Sequence, residues 1–188
     1  MTVLARLISI VGHPFATALI MVGAAAAHFG PAADAPRTMA LVAALTLLPV
    51  TGLMIRQVRR GSWSNVDASD PRQRPVLFAV GIGGVLLLLA YVLAVQPESY
   101  MVRGVVGTLA MLGVCAAATR WLKVSLHMAF CALAATTLLW LRSPAGWVLL
   151  IFIPILGWSR LRLGRHVAAE VIAGTIVGVV AGVAIHGV

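Results

Sequence analysis

Charge is what this chain has least of. Charged residues make up only 10% of its 188 residues, and 61% are hydrophobic, whereas an average soluble domain is about one-quarter charged. So little polar surface cannot coat a globule in water, which excludes an ordinary soluble domain and makes the bilayer the natural solvent. Acidic residues are scarcer still, with 5 Asp+Glu against 14 Lys+Arg and a formal net charge of +9. In a soluble protein that excess would suggest nucleic acid. Beside membrane helices, cationic loops set topology and meet anionic headgroups, so the expected partners are membrane lipids and no nucleic acid. Lysine is nearly missing, Lys123 being the single one. The arginines that replace it grip phosphate oxygens bidentately, which a point-charge ammonium does less well. The two cysteines, Cys115 and Cys131, lie in apolar runs without metal-ligand spacing. Neither a disulfide framework nor a zinc site is indicated, and both read as small apolar fillers.

What is present is a series of apolar runs. A spanning helix needs ~20 mostly apolar residues, and seven candidates run over 7–28, 39–56, 76–95, 104–119, 124–141, 145–158 and 167–186. The expectation is an all-α, polytopic membrane helix bundle of six to seven transmembrane helices, forming a single domain over 1–188. The first run ends in Ala24–Ala27, as a cleaved signal would, but is long enough to span and is taken as a retained first helix. Pro14 and Pro49 are expected to kink the first two spans, and the short sixth, with Pro154, to be tilted or partly buried. Gly81, Gly83 and Gly84 would permit close packing. The tryptophans 63, 121, 140, 147 and 158 fall mostly near helix ends, as in an interfacial belt.

Counting crossings gathers the polar connections. Seven helices put the loops at 57–75, 120–123 and 159–166 on one side, and those at 29–38, 96–103 and 142–144 on the other. Eleven cationic residues fall on the first side and three (Arg37, Arg103, Arg142) on the second. The positive-inside rule then places the first side in the cytoplasm of a plasma membrane, such as the bacterial inner membrane.

Three stretches on that side carry chemistry. Arg74-Pro75 opens the third span. Lys123-Val124-Ser125-Leu126-His127 opens the fifth. Ser159-Arg160 is followed by His166 and, three residues further on, Glu170. Four residues apart on a helix, His166 and Glu170 share a face. The carboxylate can accept one imidazole N–H, fix the tautomer and leave the other nitrogen as nucleophile. Arg160 can clamp phosphoryl oxygens. Ser125 and His127 sit at a helix N-terminus that favours an anion, and His127 is placed to protonate a leaving oxygen. With Arg74 and Lys123, these groups would surround a phosphoryl transition state with positive charge, using no metal and no cofactor. Each stretch alone has a bland reading: a proline at a helix start, a serine cap, an interfacial histidine. Their order and common side give them weight. His13, His28 and His186 have no partner at telling spacing and are read as structural.

The pattern resembles the type 2 phosphatidic acid phosphatase superfamily, whose site design is shared with vanadium haloperoxidases. That family carries Lys, six residues, Arg-Pro; then Pro-Ser-Gly-His; then Ser-Arg, five residues, His, three residues, Asp. Arg74-Pro75, Ser125 with His127, and Ser159, Arg160 and His166 stand at matching positions over about residues 67–186. The resemblance implies a lipid phosphate substrate, His166 as the nucleophile that becomes a phosphohistidine, Glu170 as orienting acid and His127 as proton donor. Arg74, Ser125 and Arg160 would bind phosphate. The chain departs from the pattern in four ways. Asp67 occupies the lysine position, for which Lys123 is the candidate substitute. Val124 and Leu126 replace Pro and Gly, Glu170 replaces Asp, and an additional helical hairpin separates the first two motifs. Two rival readings are a catalytically silent member that binds or moves an anionic lipid, and a vanadate-dependent peroxidase, against which the membrane composition argues.

Overall fold

The computed structural model describes residues 1–63, 70–95 and 99–187. Asp67 lies outside them. Among the described residues the regular structure is entirely helical. The first span is α1 (Thr2–Val11) and α2 (Pro14–Phe29), broken at Gly12 and His13. Pro14 takes the first position of α2, where its missing N–H is no loss, and the His13 side chain caps the new helix by accepting the Phe15 N–H at 3.3 Å. The second span is α3 (Ala35–Val42) and α4 (Leu48–Arg59), joined by a π-helical turn over Ala43–Leu47. Pro49 cannot donate to the carbonyl of Leu45 four residues earlier, and the ladder widens just ahead of it. There follow α5 (Arg74–Val95), α6 (Tyr100–Ala118), α7 (Leu126–Trp140), α8 (Pro144–Arg162) and α9 (Ala168–His186).

Among the described residues six helical stretches are long and apolar enough to cross a membrane, and all seven expected spans are present as helices. Their outward faces carry exposed Leu87, Ile151, Ile176 and Val183, a surface suited to lipid and not to water. The short member differs from the one expected. The sixth run extends to nineteen residues and accommodates Pro154 in its interior, whereas the fifth, α7, has only fifteen. Ten of those fifteen are buried. At about 1.5 Å per residue α7 is shorter than the ~30 Å hydrocarbon core, so it is the helix around which the others pack, with α2, α8 and α9 against it.

Between α7 and α9 the helices run in the same direction and approach through small residues. A Cβ at Gly174 would lie 2.5 Å from the Ser125 carbonyl oxygen, one at Gly178 would overlap the Ala129 carbonyl, and one at Gly182 would lie 2.7 Å from Thr136 Cβ. Four-residue spacing puts all three glycines on one stripe of α9. Packing of this kind substitutes for the hydrophobic effect, which does not drive helices together inside lipid. It also aligns the N-terminal ends of α7 and α9. Elsewhere Gly84 of α5 faces the carbonyl of Leu45 in the π turn. Trp63 departs from the expected interfacial belt, being buried against Val50 and Met54, while Trp121, Trp140, Trp147 and Trp158 are exposed. Cys115 and Cys131 are buried thiols.

Gly178→Val is therefore expected to lower the thermal midpoint of the detergent-solubilised protein by roughly 3–10 °C, the scale of an overpacked contact. Gly113→Val, whose added atoms meet open space, should leave it nearly unchanged. Equal midpoints for the two variants would refute the close α7–α9 packing.

Candidate active site

Three consecutive residues ahead of α7 hold the polar end of the bundle together. Lys123 Nζ donates to the Arg165 carbonyl at 2.9 Å and lies 3.9 Å from Glu170 Oε2. The Val124 carbonyl accepts from Arg74 Nη2 at 2.7 Å. The Ser125 N–H donates to the Glu170 carbonyl at 3.1 Å. The three sequence stretches on the expected common side thus meet at one end of the bundle.

How α8 stops decides where His166 sits. Gly164 adopts φ +64°, and the Arg165 N–H returns to the Arg160 carbonyl at 3.1 Å. This is a left-handed turn that a side chain disfavours, and it closes the open carbonyls of the helix end. The chain then enters α9 after Val167. His166 therefore lies just outside the helix and not on its face, as the four-residue spacing suggested. Its contact with Glu170 forms because Glu170 is the third residue of α9 and folds back over the helix start, accepting the Val167 N–H at 3.2 Å. The same Oε2 lies 2.8 Å from His166 Nδ1. With Nδ1–H donating to the carboxylate, Nε2 carries the lone pair. The two side chains are 8% and 13% exposed.

Burial lowers the His166 imidazole from the ordinary value of 6.5 to about 4. The Glu170 hydrogen bond and charge oppose this shift, while the nearby Arg160 and Lys123 cations reinforce it. The ring is accordingly neutral through the physiological range, the state a nitrogen nucleophile requires.

Around His166 a cavity of about 480 Å³ opens into the bundle. His13, Arg74, His127, Arg160 and His166 all line it. His127 is buried, and its Nε2 has no hydrogen-bond partner among the described residues. Arg74 is 4% exposed. Its guanidinium lies 5.4 Å from the Phe78 ring centroid, and Nη1 is likewise without a partner. Such orphaned donors in a dry setting are costly, on the order of 1–3 kcal/mol each, and point to a ligand position. Arg160 is 1% exposed and donates through Nη1 to Ser9 Oγ at 2.5 Å. Ser125 is fully buried, and its hydroxyl does not cap α7. Lys123, expected to offer its ammonium to phosphate, instead sits behind the His166–Glu170 pair and is not on the cavity wall.

Some residues of this region were not evident from the sequence. Ser159 Oγ donates to the Ala5 carbonyl at 2.6 Å, so this motif serine pins α1 and does not face the cavity. The buried face of α1, Ala5 and Ser9, thereby backs the Ser159-Arg160 pair. His13, read as structural, enters the cavity with its ring centroid 5.3 Å from that of His127, edge to face. The signal for it was His13-Pro14, a cap followed by a helix-starting proline, which breaks the first span at the depth of the site. His186, also read as structural, lines the far end of the same cavity and stacks on Trp140 at 4.2 Å. His28 packs against Phe29.

In ¹⁵N-histidine NMR of the solubilised protein, His166 should titrate near pH 4, and Glu170→Gln should move it lower, since both contributions of Glu170 raise it. Titration between 6 and 7 would show that the ring is in water and not held by this pair. No protein-family model matches the chain, and neither a curated protein nor a solved structure matches it.

Proposed function

We propose that this chain is a metal-independent membrane lipid phosphatase of the type 2 phosphatidic acid phosphatase design, hydrolysing a phosphate monoester or diphosphate through a phosphohistidine. The observation that carries the reading is the 2.8 Å His166–Glu170 contact, formed at the mouth of a cavity that His127, Arg74 and Arg160 also line. A neutral imidazole held by a carboxylate, beside two buried guanidinium groups and a second imidazole, suits phosphoryl transfer better than acyl or redox chemistry.

In the first step His166 Nε2 attacks phosphorus and the P–N bond forms as the bond from phosphorus to the leaving oxygen breaks. His127 relays to that oxygen a proton carried in by the phosphate group, releasing the lipid alcohol, or the lipid monophosphate if the substrate is a diphosphate. The proton that His166 carries on Nδ1 remains on the Glu170 hydrogen bond, which stabilises the positive phosphoimidazole. In the second step His127 takes a proton from water, the water oxygen attacks phosphorus, and the P–N bond breaks to give inorganic phosphate and free His166. Arg74 and Arg160 offset the charge on the equatorial oxygens. Ser125 is buried off the cavity wall, and Lys123 fixes the loop and the carboxylate.

The second reading is an anionic-lipid binder without turnover. One observation favours it: Arg74, Arg160 and Lys123 each already donate to a protein oxygen. Phosphate release separates the two. Across a panel of lipid phosphates, His166→Ala should lower kcat/KM by several orders of magnitude, because a covalent nucleophile has no ready substitute. EDTA should change nothing, and the acid limb of kcat/KM should lie near pH 4, where His166 gains a proton. Retained activity in His166→Ala would end the proposal, and binding without release by the native protein would select the second reading.

The excess of cationic residues on the loops at this end of the bundle supports a cytoplasm-facing site in a plasma membrane. Arg162→Cys, at the exposed C-terminal end of α8, is expected to react with a membrane-impermeant maleimide only in inverted vesicles. Labelling in intact cells would reverse the orientation.

A further inference from the structure

The cavity does not end at the candidate site. It passes between the hairpins α2–α4 and α5–α6 along the side of α7, walled by apolar Val42, Phe78, Val85, Leu88 and Phe130, and reaches Ser99, Tyr100, Thr137 and His186 at the other end. There the surface becomes polar again. Thr137 is 5% exposed, and its hydroxyl, the Ser99 hydroxyl and His186 Nε2 have no hydrogen-bond partner among the described residues. The apolar stretch is thus bounded at both ends, by His127 and by Thr137, which are ten residues apart on α7. At 1.5 Å per residue this is about 15 Å, half of the ~30 Å hydrocarbon core and so the reach of a chain from one leaflet.

Volume decides how many chains fit. A dry apolar cavity of about 150 Å³ takes one benzene ring. On that scale 480 Å³ holds roughly three rings, or about eighteen carbons. That accommodates one medium or long chain. It does not enclose both acyl chains of a phosphatidic acid, nor a polyprenyl chain of several tens of carbons, and whatever exceeds it must leave through the open side of the bundle.

Resting on the phosphatase reading of the same site, we infer that the substrate is a single-chain lipid phosphate whose chain lies inside the bundle, with the polar far end limiting its length. A longer chain would press methylene groups against the Thr137 and Ser99 hydroxyls and bury them without a partner. A shorter one would leave apolar wall unfilled. The additional hairpin α5–α6, absent from the core pattern of the resembling family, supplies one wall of this corridor through Phe78, Val85 and Leu88 and acquires a function by doing so.

The test uses the full chain in phosphatidylcholine nanodiscs. Phosphate release is measured with butyl phosphate, dodecyl phosphate, oleoyl lysophosphatidate and dioleoyl phosphatidate. The corridor is obstructed by Gly81→Phe, at a cavity-lining position where an added Cβ meets only Val50 Cγ2, at 3.9 Å. The two single-chain lipids should exceed both butyl phosphate and dioleoyl phosphatidate in kcat/KM by at least tenfold. Gly81→Phe should reduce the dodecyl-to-butyl ratio by a similar factor, a ratio that partial misfolding does not move. His166-dependent turnover in which dioleoyl phosphatidate matches the single-chain lipids, or in which the Gly81→Phe ratio equals that of the native protein, would overturn this inference and leave the phosphatase reading standing. Release from none of the four substrates would overturn both.

Discussion

Inside a membrane no backbone N–H or C=O can be left to water, and the extended tripeptide Lys123–Val124–Ser125 is where this chain meets that constraint most directly. It precedes α7 at the polar end of the bundle, where α7 satisfies only the Ser125 carbonyl, through the Ala129 N–H. The Val124 carbonyl takes a hydrogen from Arg74, the Ser125 N–H gives one to Glu170, and the Lys123 ammonium reaches the Arg165 carbonyl. Each bond leads to a different helix end. The pairing of three segments remote in sequence thus comes from the backbone of Val124 and Ser125 together with the Lys123 side chain, and the geometry of the histidine pair follows from it.

The glycine stripe of α9 makes that arrangement rigid. With Gly174, Gly178 and Gly182 against the backbone and small side chains of α7, the two helix starts cannot slide past one another without a clash. Precision at the nitrogen of His166 therefore derives from contacts of α9 along its whole length. The turn at Gly164 then sets the ring just ahead of the helix, where Glu170 can reach both Nδ1 and the Val167 N–H. A charged group at this depth is tolerated because each charge faces a partner, consistent with the rarity of acidic residues in the chain.

An apolar corridor leading from a charged cluster gives the bundle two environments that one amphiphile can satisfy together. The charged end has buried donors, and the corridor walls are hydrocarbon. α7, too short to cross a bilayer by itself, measures the distance between the cluster and the polar groups at the far end.

The amino-acid sequence by itself determined the solvent, the helices and their order. Composition excludes water, long apolar runs define each span within a few residues, and the parity of crossings assigns the polar stretches to a common side. The Arg74, His127, Arg160 and His166 cluster was legible because costly polar residues in an apolar chain stand out individually. Tertiary structure alone decided the rest. It made α7 the buried helix and placed His166 outside α9. It moved Lys123 off the cavity wall and brought in Ser9, whose spacing carries no signal, and His13, which the sequence marks only as a helix cap ahead of Pro14. It also opened a corridor through α2 to α7. These outcomes depend on which faces approach and how closely, which is fixed by atoms from distant segments competing for the same space, and no local pattern in the chain encodes that competition.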